Sequence, residues 1–252
     1  MESQFNLVAP HYDKLMSGVP YSFWVKYLED LLLMVDYEPK TILDVACGTG
    51  NVSELLAEKG YEVTGFDISK EMIAVALNKD HKAEYFVSDV AELNIDRKFD
   101  LAISLFDSLN YVTDINKLRE GIKRVSQHLV DNGIFIFDVN TIYALQHHFF
   151  DQANLSRDHL PRYVWRSEWD NATRICRVNM TFETENEYGE LVQFKEVHVQ
   201  KGYTIEELSN ILRETKFKVL HIFHAYKFKK PNRRSDRVFF VARKENNEQS
   251  IL

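Results

Sequence analysis

Short apolar runs alternate with amphipathic helical patterns from Thr41 to Asn140. Five runs have the length and composition of strands, namely TILDVAC, YEVTGFD, AEYFVSD, FDLAISLF and GIFIFDVN. Strands that alternate with helices predict βαβ units, and therefore a parallel sheet with right-handed crossovers. Gly60 and Gly133 follow helical segments directly, where a left-handed residue is expected to end each helix.

The pattern changes after Asn140. Three stretches, RYVWRSEW, TRICRVNMTFETE and ELVQFKEVHVQ, alternate apolar and polar residues, and NEYGE forms a turn before the last. This alternation predicts a three-stranded antiparallel meander with one covered face. A helix and two further strands follow it. We therefore interpret residues 141–200 as an inserted lid in a larger domain made of residues 1–140 and 201–252.

Composition and charge narrow the class of protein. The 252 residues are 45% hydrophobic and 27% charged, and 31 basic against 38 acidic side chains give a net charge of −7. That balance argues against nucleic acid and anionic membranes as partners. Cys47 and Cys176 are too few for a disulfide framework or a metal cluster. With no secretory signal pattern and no apolar run of spanning length, we expect a cytoplasmic protein without a metal.

A glycine turn and an acid follow the first two predicted strands. Gly48 and Gly50 come directly after strand one, where the backbone can turn tightly and approach a ligand. Asp67 ends strand two, 17 residues beyond Gly50. This is near the offset of about 20 residues at which an acid binds ribose hydroxyls. The alternative is that Asp67 caps the helix that begins near Ser69.

The glycine pattern departs from the dinucleotide-binding fingerprint. Ser53 occupies the place of the third glycine in G-x-G-x-x-G, and Asp44 lies inside strand one. A buried acid beside the glycine loop would repel a pyrophosphate. The pattern therefore favours a nucleoside cofactor that carries a cation or an amine.

The stretch LDVACGTGNVSELLAEKGYEVTGFDIS resembles motifs I and II of the class I S-adenosylmethionine-dependent methyltransferases. VSDVAEL, FDLAISLFDSLNYV and LVDNGIFIFDVN resemble later motifs in the family's order, so that the resemblance covers nearly the whole chain. It implies an α/β, Rossmann-like sheet of seven strands, the last antiparallel. The implied cofactor is S-adenosyl-L-methionine, with S-adenosyl-L-homocysteine as product. The implied cofactor-binding residues are Asp44, Ala46, Gly48, Gly50, Asp67, Ile68, Met72, Asp89, Val90, Leu105 and Phe106.

The same resemblance implies individual roles. The glycine loop would lie under the methionine, Asp67 would hold the ribose, and Asp89 would bind the adenine amino group. Ile68, Met72 and Val90 would lie against the purine, while the residues that follow strand four would offer backbone groups near the methionine amine. Other roles stay open, because Asp89 could equally cap a helix and Met72 and Val90 could be core residues.

The predicted lid and the N-terminal segment supply candidates for the acceptor site. The lid is similar in placement to those of amino-sugar N,N-dimethyltransferases and glycine N-methyltransferase, and its end carries a Glu-x-His-x-Gln stretch. Strand alternation puts these three side chains on one face, which could instead be a solvated one. HYDKLMSGVPYSFW resembles the family segment that folds over the cofactor. The candidates are Tyr12 and His198 for catalysis and Tyr21, Trp24, Tyr111, Glu196 and Gln200 for acceptor binding.

These features predict methylation of a small molecule, an amine rather than a hydroxyl compound, by in-line displacement at the sulfonium methyl. Leu105-Phe106-Asp107-Ser108 replaces the Asn/Asp-Pro-Pro-Tyr/Phe motif of exocyclic-amine methyltransferases, and neither cysteine is placed to attack a pyrimidine. Two alternatives remain: a tRNA or rRNA methyltransferase that uses the basic loop 227–237, and a non-catalytic cofactor-binding protein. We expect a monomer or a homodimer.

Overall fold

A seven-stranded sheet runs through the centre of the protein in the computed structural model, which describes residues 4–79, 81–156, 161–186 and 188–246. Its first five strands are parallel neighbours along the order β3-β2-β1-β4-β5. They are β1 (Thr41–Val45), β2 (Glu62–Asp67), β3 (Glu84–Val87), β4 (Phe99–Ser104) and β5 (Leu129–Asn140). The expected parallel sheet is confirmed.

The last strand of the chain reverses direction. The two closing strands are Phe217–His224 and Arg237–Lys244, here numbered β10 and β11 because four strands of a second sheet lie between them and β5 in the chain. The final strand lies between β5 and β10 and is antiparallel to both. The predicted seven strands with an antiparallel last strand are therefore confirmed.

Helices cover both faces of this sheet. On one face α5 (Ile115–His128) and α7 (Ile205–Glu214) bury apolar side chains such as Leu118 and Leu208 against it. On the other face α2 (Tyr21–Met34) and α3 (Asn51–Glu58) do the same. The remaining helices are α1 (Ala9–Leu15), α4 (Lys70–Leu77) and α6 (Ile142–Gln146). Among the residues described, no helix is both long and apolar enough to cross a membrane.

The two glycines expected to end helices behave differently. Gly60 follows α3 with φ of 97°, as expected for a helix C-terminus. The prediction for Gly133 is wrong, because this residue lies inside β5. A Cβ atom there would lie 2.9 Å from the Val130 carbonyl oxygen, so Gly133 is required by close backbone packing. The left-handed residue at this turn is Asn132, with φ of 64°.

A second, antiparallel sheet has four strands, not the three expected. The long strands β7 (Arg162–Asp170), β8 (Ile175–Glu185) and β9 (Leu191–Lys201) form the predicted meander. The additional strand β6 (Gln152–Asn154) pairs with the outer edge of β7. Three residues are too few to show an alternating pattern, which is why the sequence did not reveal it.

The N-terminal segment lies between the two sheets. Val8 and Ala9 at the start of α1 pack in one buried cluster with Met72 of α4 and with Met180 and Phe182 of β8. We refer to residues 4–16 as the N-terminal strap. The strap therefore joins the helix that follows β2 to the inserted sheet.

Candidate functional site

A cavity of about 990 Å³ lies at the carboxyl ends of β1, β2 and β4, where open parallel sheets bind ligands. The N-terminal strap, the start of α2 and the inserted sheet form its other walls. Fifteen residues singled out from the sequence line it: Tyr12, Tyr21, Trp24, Asp44, Ala46, Gly48, Asp67, Ile68, Met72, Asp89, Val90, Leu105, Phe106, Tyr111 and His198. The other three, Gly50, Glu196 and Gln200, do not line it.

Asp67 holds the glycine loop at the floor of this cavity. Its carboxylate accepts one hydrogen bond from the Gly48 backbone N–H at 2.9 Å and another from the Ser69 N–H at 2.8 Å. Burial raises the pKa of Asp67, against the effect of these two amide donors. Ser69 is the N-cap of α4, since its hydroxyl accepts the Met72 N–H at 3.2 Å. Capping therefore does not require Asp67.

Gly50 belongs beneath the loop and not to the cavity wall. It is the N-cap of α3 with φ of 80°, and a Cβ atom there would lie 2.3 Å from the Tyr85 hydroxyl oxygen. Gly50 itself does not line the cavity, so its part in cofactor binding stays a prediction. Gly48, with φ of 57° and open space at its Cβ position, is the glycine that lines the cavity.

Asp44 is a buried carboxyl group in β1, the strand that leads into this loop. The Ser53 hydroxyl, at the place of the missing third glycine, donates to its Oδ2 at 2.6 Å. Burial and the nearby Asp67 charge outweigh this hydrogen bond and raise the pKa of Asp44 to about 7. A carboxyl group whose pKa lies near neutral pH would readily lose its proton when a cationic ligand binds beside it.

Asp89 is a helix cap, the alternative role considered for it, and it also lines the cavity. It is the N-cap of a 3₁₀ turn, Val90–Glu92, because its Oδ1 accepts the Ala91 N–H at 2.9 Å. Its Oδ2 lies 2.5 Å from Lys117 Nζ, and the residue also lines the cavity. Of the neighbouring apolar residues, Ile68 is 62% exposed whereas Met72 is only 2% exposed. Met72 is thus a core residue that also reaches the cavity wall.

A buried charge network behind the cavity was not predicted. Asp138 of β5 accepts the N–H groups of Phe106 at 2.7 Å and Asp107 at 3.1 Å. These two residues have φ of 70° and 53°, so the turn after β4 is held in the left-handed region. Arg237 pairs with Asp107 at 2.5 Å and also contacts Asp138. The signal available in the sequence was an acid inside the apolar run GIFIFDVN.

Gln200 belongs to this network and does not contact the acceptor space. It is completely buried, and its amide donates to Asp107 Oδ2 at 2.6 Å. Its oxygen accepts from Asn140 Nδ2 at 3.1 Å. The expectation that Gln200 faces the cavity is wrong, because the preceding turn places Asp107 between them. Gln200 instead fixes the orientation of that carboxylate.

Of the three polar residues in the Glu-x-His-x-Gln stretch, His198 lines the cavity, whereas Glu196 and Gln200 do not. Its Nδ1 lies 3.3 Å from the Tyr111 hydroxyl, and its Nε2 lies 2.8 Å from Glu196 Oε2. The ring of Phe5 packs against the imidazole with 4.3 Å between centroids. The predicted solvated alternative for this face does not hold for His198, which is 2% exposed.

Glu196 fastens the N-terminal strap to the inserted sheet, which corrects its expected contact with the acceptor. Its Oε1 accepts the backbone N–H groups of Leu7 at 2.5 Å and Val8 at 3.0 Å. A second attachment lies one turn earlier, where the Val199 N–H donates to Gln4 Oε1 at 2.6 Å. Glu196 therefore links strap position to the orientation of His198.

We expect Glu196→Gln to loosen the strap, so that the Leu7 and Val8 amides exchange with deuterium about tenfold faster, since hydrogen bonds to a charged acceptor are stronger by about 1–1.5 kcal/mol. Burial alone would raise the pKa of Glu196, but His198 and the two amides hold it below its usual value of 4.5. In the wild type, the strap therefore stays attached to Glu196 above pH 4.5. It is released as the pH falls through the lowered pKa of Glu196.

Hydrogen-exchange mass spectrometry over residues 4–16 measures this effect. Glu168→Gln on β7 is the matched control, because it removes the same charge from an exposed side chain. Equal exchange of the strap in the two variants would show that Glu196 does not hold it.

Trp24, Tyr12 and Tyr111 are aromatic residues of the cavity wall. Trp24 lies 4.5 Å from the Phe106 ring and 5.8 Å from Tyr226, so it both packs in the molecule and faces the cavity. Tyr12 is half-buried, and desolvation together with Tyr21 and Tyr111 raises its pKa well above 10. Burial likewise raises the pKa of Tyr111. Both phenols therefore stay protonated at neutral pH.

A glycine turn, an acid at the tip of the second strand and a cavity at the switch point of a parallel sheet define a nucleoside-cofactor-binding α/β fold. A family model described as a methyltransferase domain matches residues 42–133. A methyltransferase-family protein of Geobacillus sp. (strain WCH70) is 33% identical over 238 residues, covering 92% of this chain and 96% of the relative.

Solved structures and more distant relatives agree with this match. An S-adenosylmethionine-dependent methyltransferase from Clostridium acetobutylicum ATCC 824 is 29% identical with a TM-score of 0.82, covering 97% of this chain and 100% of that one. A dTDP-3-amino-3,4,6-trideoxy-alpha-D-glucopyranose N,N-dimethyltransferase from Streptomyces venezuelae is 26% identical over 121 residues, 48% of this chain and 51% of that protein. The chain belongs to the class I S-adenosylmethionine-dependent methyltransferases.

Proposed function

We propose that this methyltransferase transfers the methyl group of S-adenosylmethionine to the nitrogen of a small-molecule amine. The observation that carries the proposal is one cavity that is lined both by the glycine loop with Asp67 and by the imidazole of His198. The amine assignment is supported by the relative from Streptomyces venezuelae, which is named as an N,N-dimethyltransferase of an amino sugar. S-adenosylhomocysteine would be the second product.

The residues at the floor of the cavity suit the cofactor's polar groups. We propose that Asp67 accepts hydrogen bonds from the ribose hydroxyls while it holds the Gly48 amide, and that Asp44 faces the methionine ammonium. Asp89 would accept from the adenine amino group. The bound cofactor supplies a methyl group on a cationic sulfur, which is already a strong electrophile, so the protein's main tasks are alignment and exclusion of water.

His198 would handle the acceptor's proton. An ammonium group must lose one proton before its nitrogen lone pair can attack the methyl group, and His198 Nδ1 can accept that proton because Glu196 holds the other ring nitrogen. The carbon–sulfur bond then breaks, and the positive charge passes from the sulfur to the methylated nitrogen. Tyr111 and Tyr12 remain protonated and would donate hydrogen bonds that orient the acceptor. We propose Tyr21 and Trp24 as its aromatic contacts and residues 141–200 as the lid over it.

The alternative with an RNA substrate gains no support from the basic loop. Arg237, the last residue of that loop, is buried against Asp107 and Asp138. Within the described part of the chain, residues 227–236 do not line the cavity. We retain the small-molecule assignment, and we propose a cytoplasmic monomer or homodimer that uses no metal.

The charge state of Asp44 gives a pH dependence to cofactor binding. A cationic ammonium binds the ionised carboxylate, so an acid whose pKa is raised to about 7 must lose its proton on binding. We expect the affinity for S-adenosylmethionine to fall by up to about tenfold per pH unit below about 7. Calorimetry across this range measures it. Adenosine, which lacks the ammonium, is the control ligand and should bind without this pH dependence.

The direct test of the proposed function is release of S-adenosylhomocysteine from a panel of amines and matched alcohols. We expect amines alone to give turnover. His198→Gln should slow it by about tenfold, below the 10²–10⁴-fold typical of a general base, because the methyl group is already activated. Cofactor affinity should stay unchanged. His81→Gln, exposed and outside the cavity, is the control. Turnover with alcohols only would refute the amine assignment.

A further inference from the structure

We propose that the acceptor is a hydrophobic amine that carries no phosphate or carboxylate group. This inference rests on the proposed function and specifies its substrate class. It comes from the charges and the aromatic side chains of the cavity wall, and it separates this enzyme from any that acts on nucleotide-linked amines.

Carboxylates outnumber cations on the wall. Two cationic side chains, Lys117 and Arg237, line the cavity in the described part of the chain. The carboxylates on the same wall are Asp44, Asp67, Asp89, Asp107 and Asp114. The electrostatic field inside the cavity therefore favours a cation and opposes an anion, and low-dielectric walls strengthen that preference.

Both cations already have carboxylate partners. Lys117 Nζ lies 2.5 Å from Asp89. Arg237 lies between Asp107 and Asp138, and its guanidinium also lies 5.5 Å from the Phe106 ring centre. A phosphate placed in this cavity would have to displace one of these carboxylates, which would then be buried without a counter-charge. The wall thus provides no free cation for an anionic acceptor within the described residues.

The rest of the wall is aromatic. Among the described residues, twelve Phe, Tyr and Trp side chains line the cavity. The inserted sheet and the segment before it contribute five of them: Phe149, Phe150, Tyr163, Trp165 and Phe182. Aromatic faces attract ammonium groups and bind apolar rings at the same time. The cavity of about 990 Å³ is at the upper end of the roughly 300–1,000 Å³ usual for one ligand. It can therefore hold an acceptor with an apolar body beside the cofactor.

Calorimetry on the protein saturated with S-adenosylhomocysteine tests this inference. The probes share one ring: phenethylamine is a cation, 2-phenylethanol is neutral and 3-phenylpropanoate is an anion. We expect phenethylamine to bind about tenfold or more tighter than 2-phenylethanol. 3-Phenylpropanoate and thymidine diphosphate should give no measurable binding. Equal binding of the anion and the cation overturns the inference, as does binding of none of the three ring probes.

Two variants test whether the carboxylates of the cavity wall cause the preference for the cationic probe. Asp107→Asn should release one side of Arg237, so that 3-phenylpropanoate now binds and the preference for the cation shrinks at least threefold. Asp114→Ser removes another wall charge but keeps a residue able to cap α5, and should lower the preference about twofold even if the first variant does not fold. Asp170→Asn, at the exposed last residue of β7, controls for net charge. A preference unchanged in both wall variants contradicts the proposal.

Failure of this inference is distinguishable from failure of the proposed function. S-adenosylhomocysteine affinity is measured first, on the same samples. If the protein does not bind that nucleoside, the cofactor assignment fails. If it binds the nucleoside and turns over an amine that carries a phosphate, the function stands and only the substrate class is wrong.

Discussion

Replacing Arg237 with methionine is expected to lower the free energy of unfolding by about 3–5 kcal/mol, which is the usual cost of removing one partner from a buried ion pair. The substitution leaves Asp107 and Asp138 buried without a counter-charge, and both are nearly inaccessible to solvent. It also frees the left-handed turn at Phe106. Urea unfolding followed by circular dichroism measures the loss.

Arg234→Met is the matched control for this variant. Arg234 lies three residues earlier and is exposed, so its replacement should change stability by less than about 0.5 kcal/mol. At lower pH the Arg237→Met defect should shrink. Burial and the neighbouring Asp138 raise the pKa of Asp107 despite Arg237, and protonation removes the uncompensated charge. A loss below about 1 kcal/mol at neutral pH would contradict the role given to the pair.

Asp67→Ala is expected to weaken S-adenosylmethionine binding by about 100-fold. Hydrogen bonds to a charged group contribute about 1.5–3 kcal/mol each, and the variant would lose the proposed ribose contact together with support of the Gly48 amide. Isothermal titration calorimetry with S-adenosylhomocysteine as ligand measures the change. The folded state should persist, because Ser69 still caps α4.

The control for Asp67 is Asp96→Ala. Asp96 is exposed and precedes β4 at the other end of the sheet, so removing its charge should leave cofactor affinity within about twofold. Asp67→Asn adds a second check, since the neutral amide keeps the size of the side chain. Affinity in Asp67→Ala equal to that of the wild type would remove the carboxylate from the cofactor site.

The fold could be predicted because its strands and helices are specified by local patterns of apolar and polar residues. Each parallel strand is a continuous apolar run and each helix has its own period, so the alternation from Thr41 to Asn140 specified the sheet. The prediction failed where the structure depends on packing. Gly133 is fixed by the approach of another strand's backbone, and β6 exists only because the edge of β7 is available to pair with it.

The cofactor end of the site was more predictable than the acceptor end. Gly48 and Asp67 are brought together by neighbouring strands whose register the sequence motif already implies. Arg237 and Asp138 are 99 positions apart, and the antiparallel pairing of their strands brings them together. Strand alternation predicted a shared face for Glu196 and Gln200. It could not show that the Glu196 carboxylate would bind the strap, or that the Gln200 amide would bind Asp107.

The strap has a consequence for the timing of the catalytic cycle. Residues 4–16 form one wall of the cavity and are fastened to β9 through Gln4 and Glu196. We therefore expect the exchange of nucleoside between turnovers to be slower the longer residues 4–16 stay attached to β9.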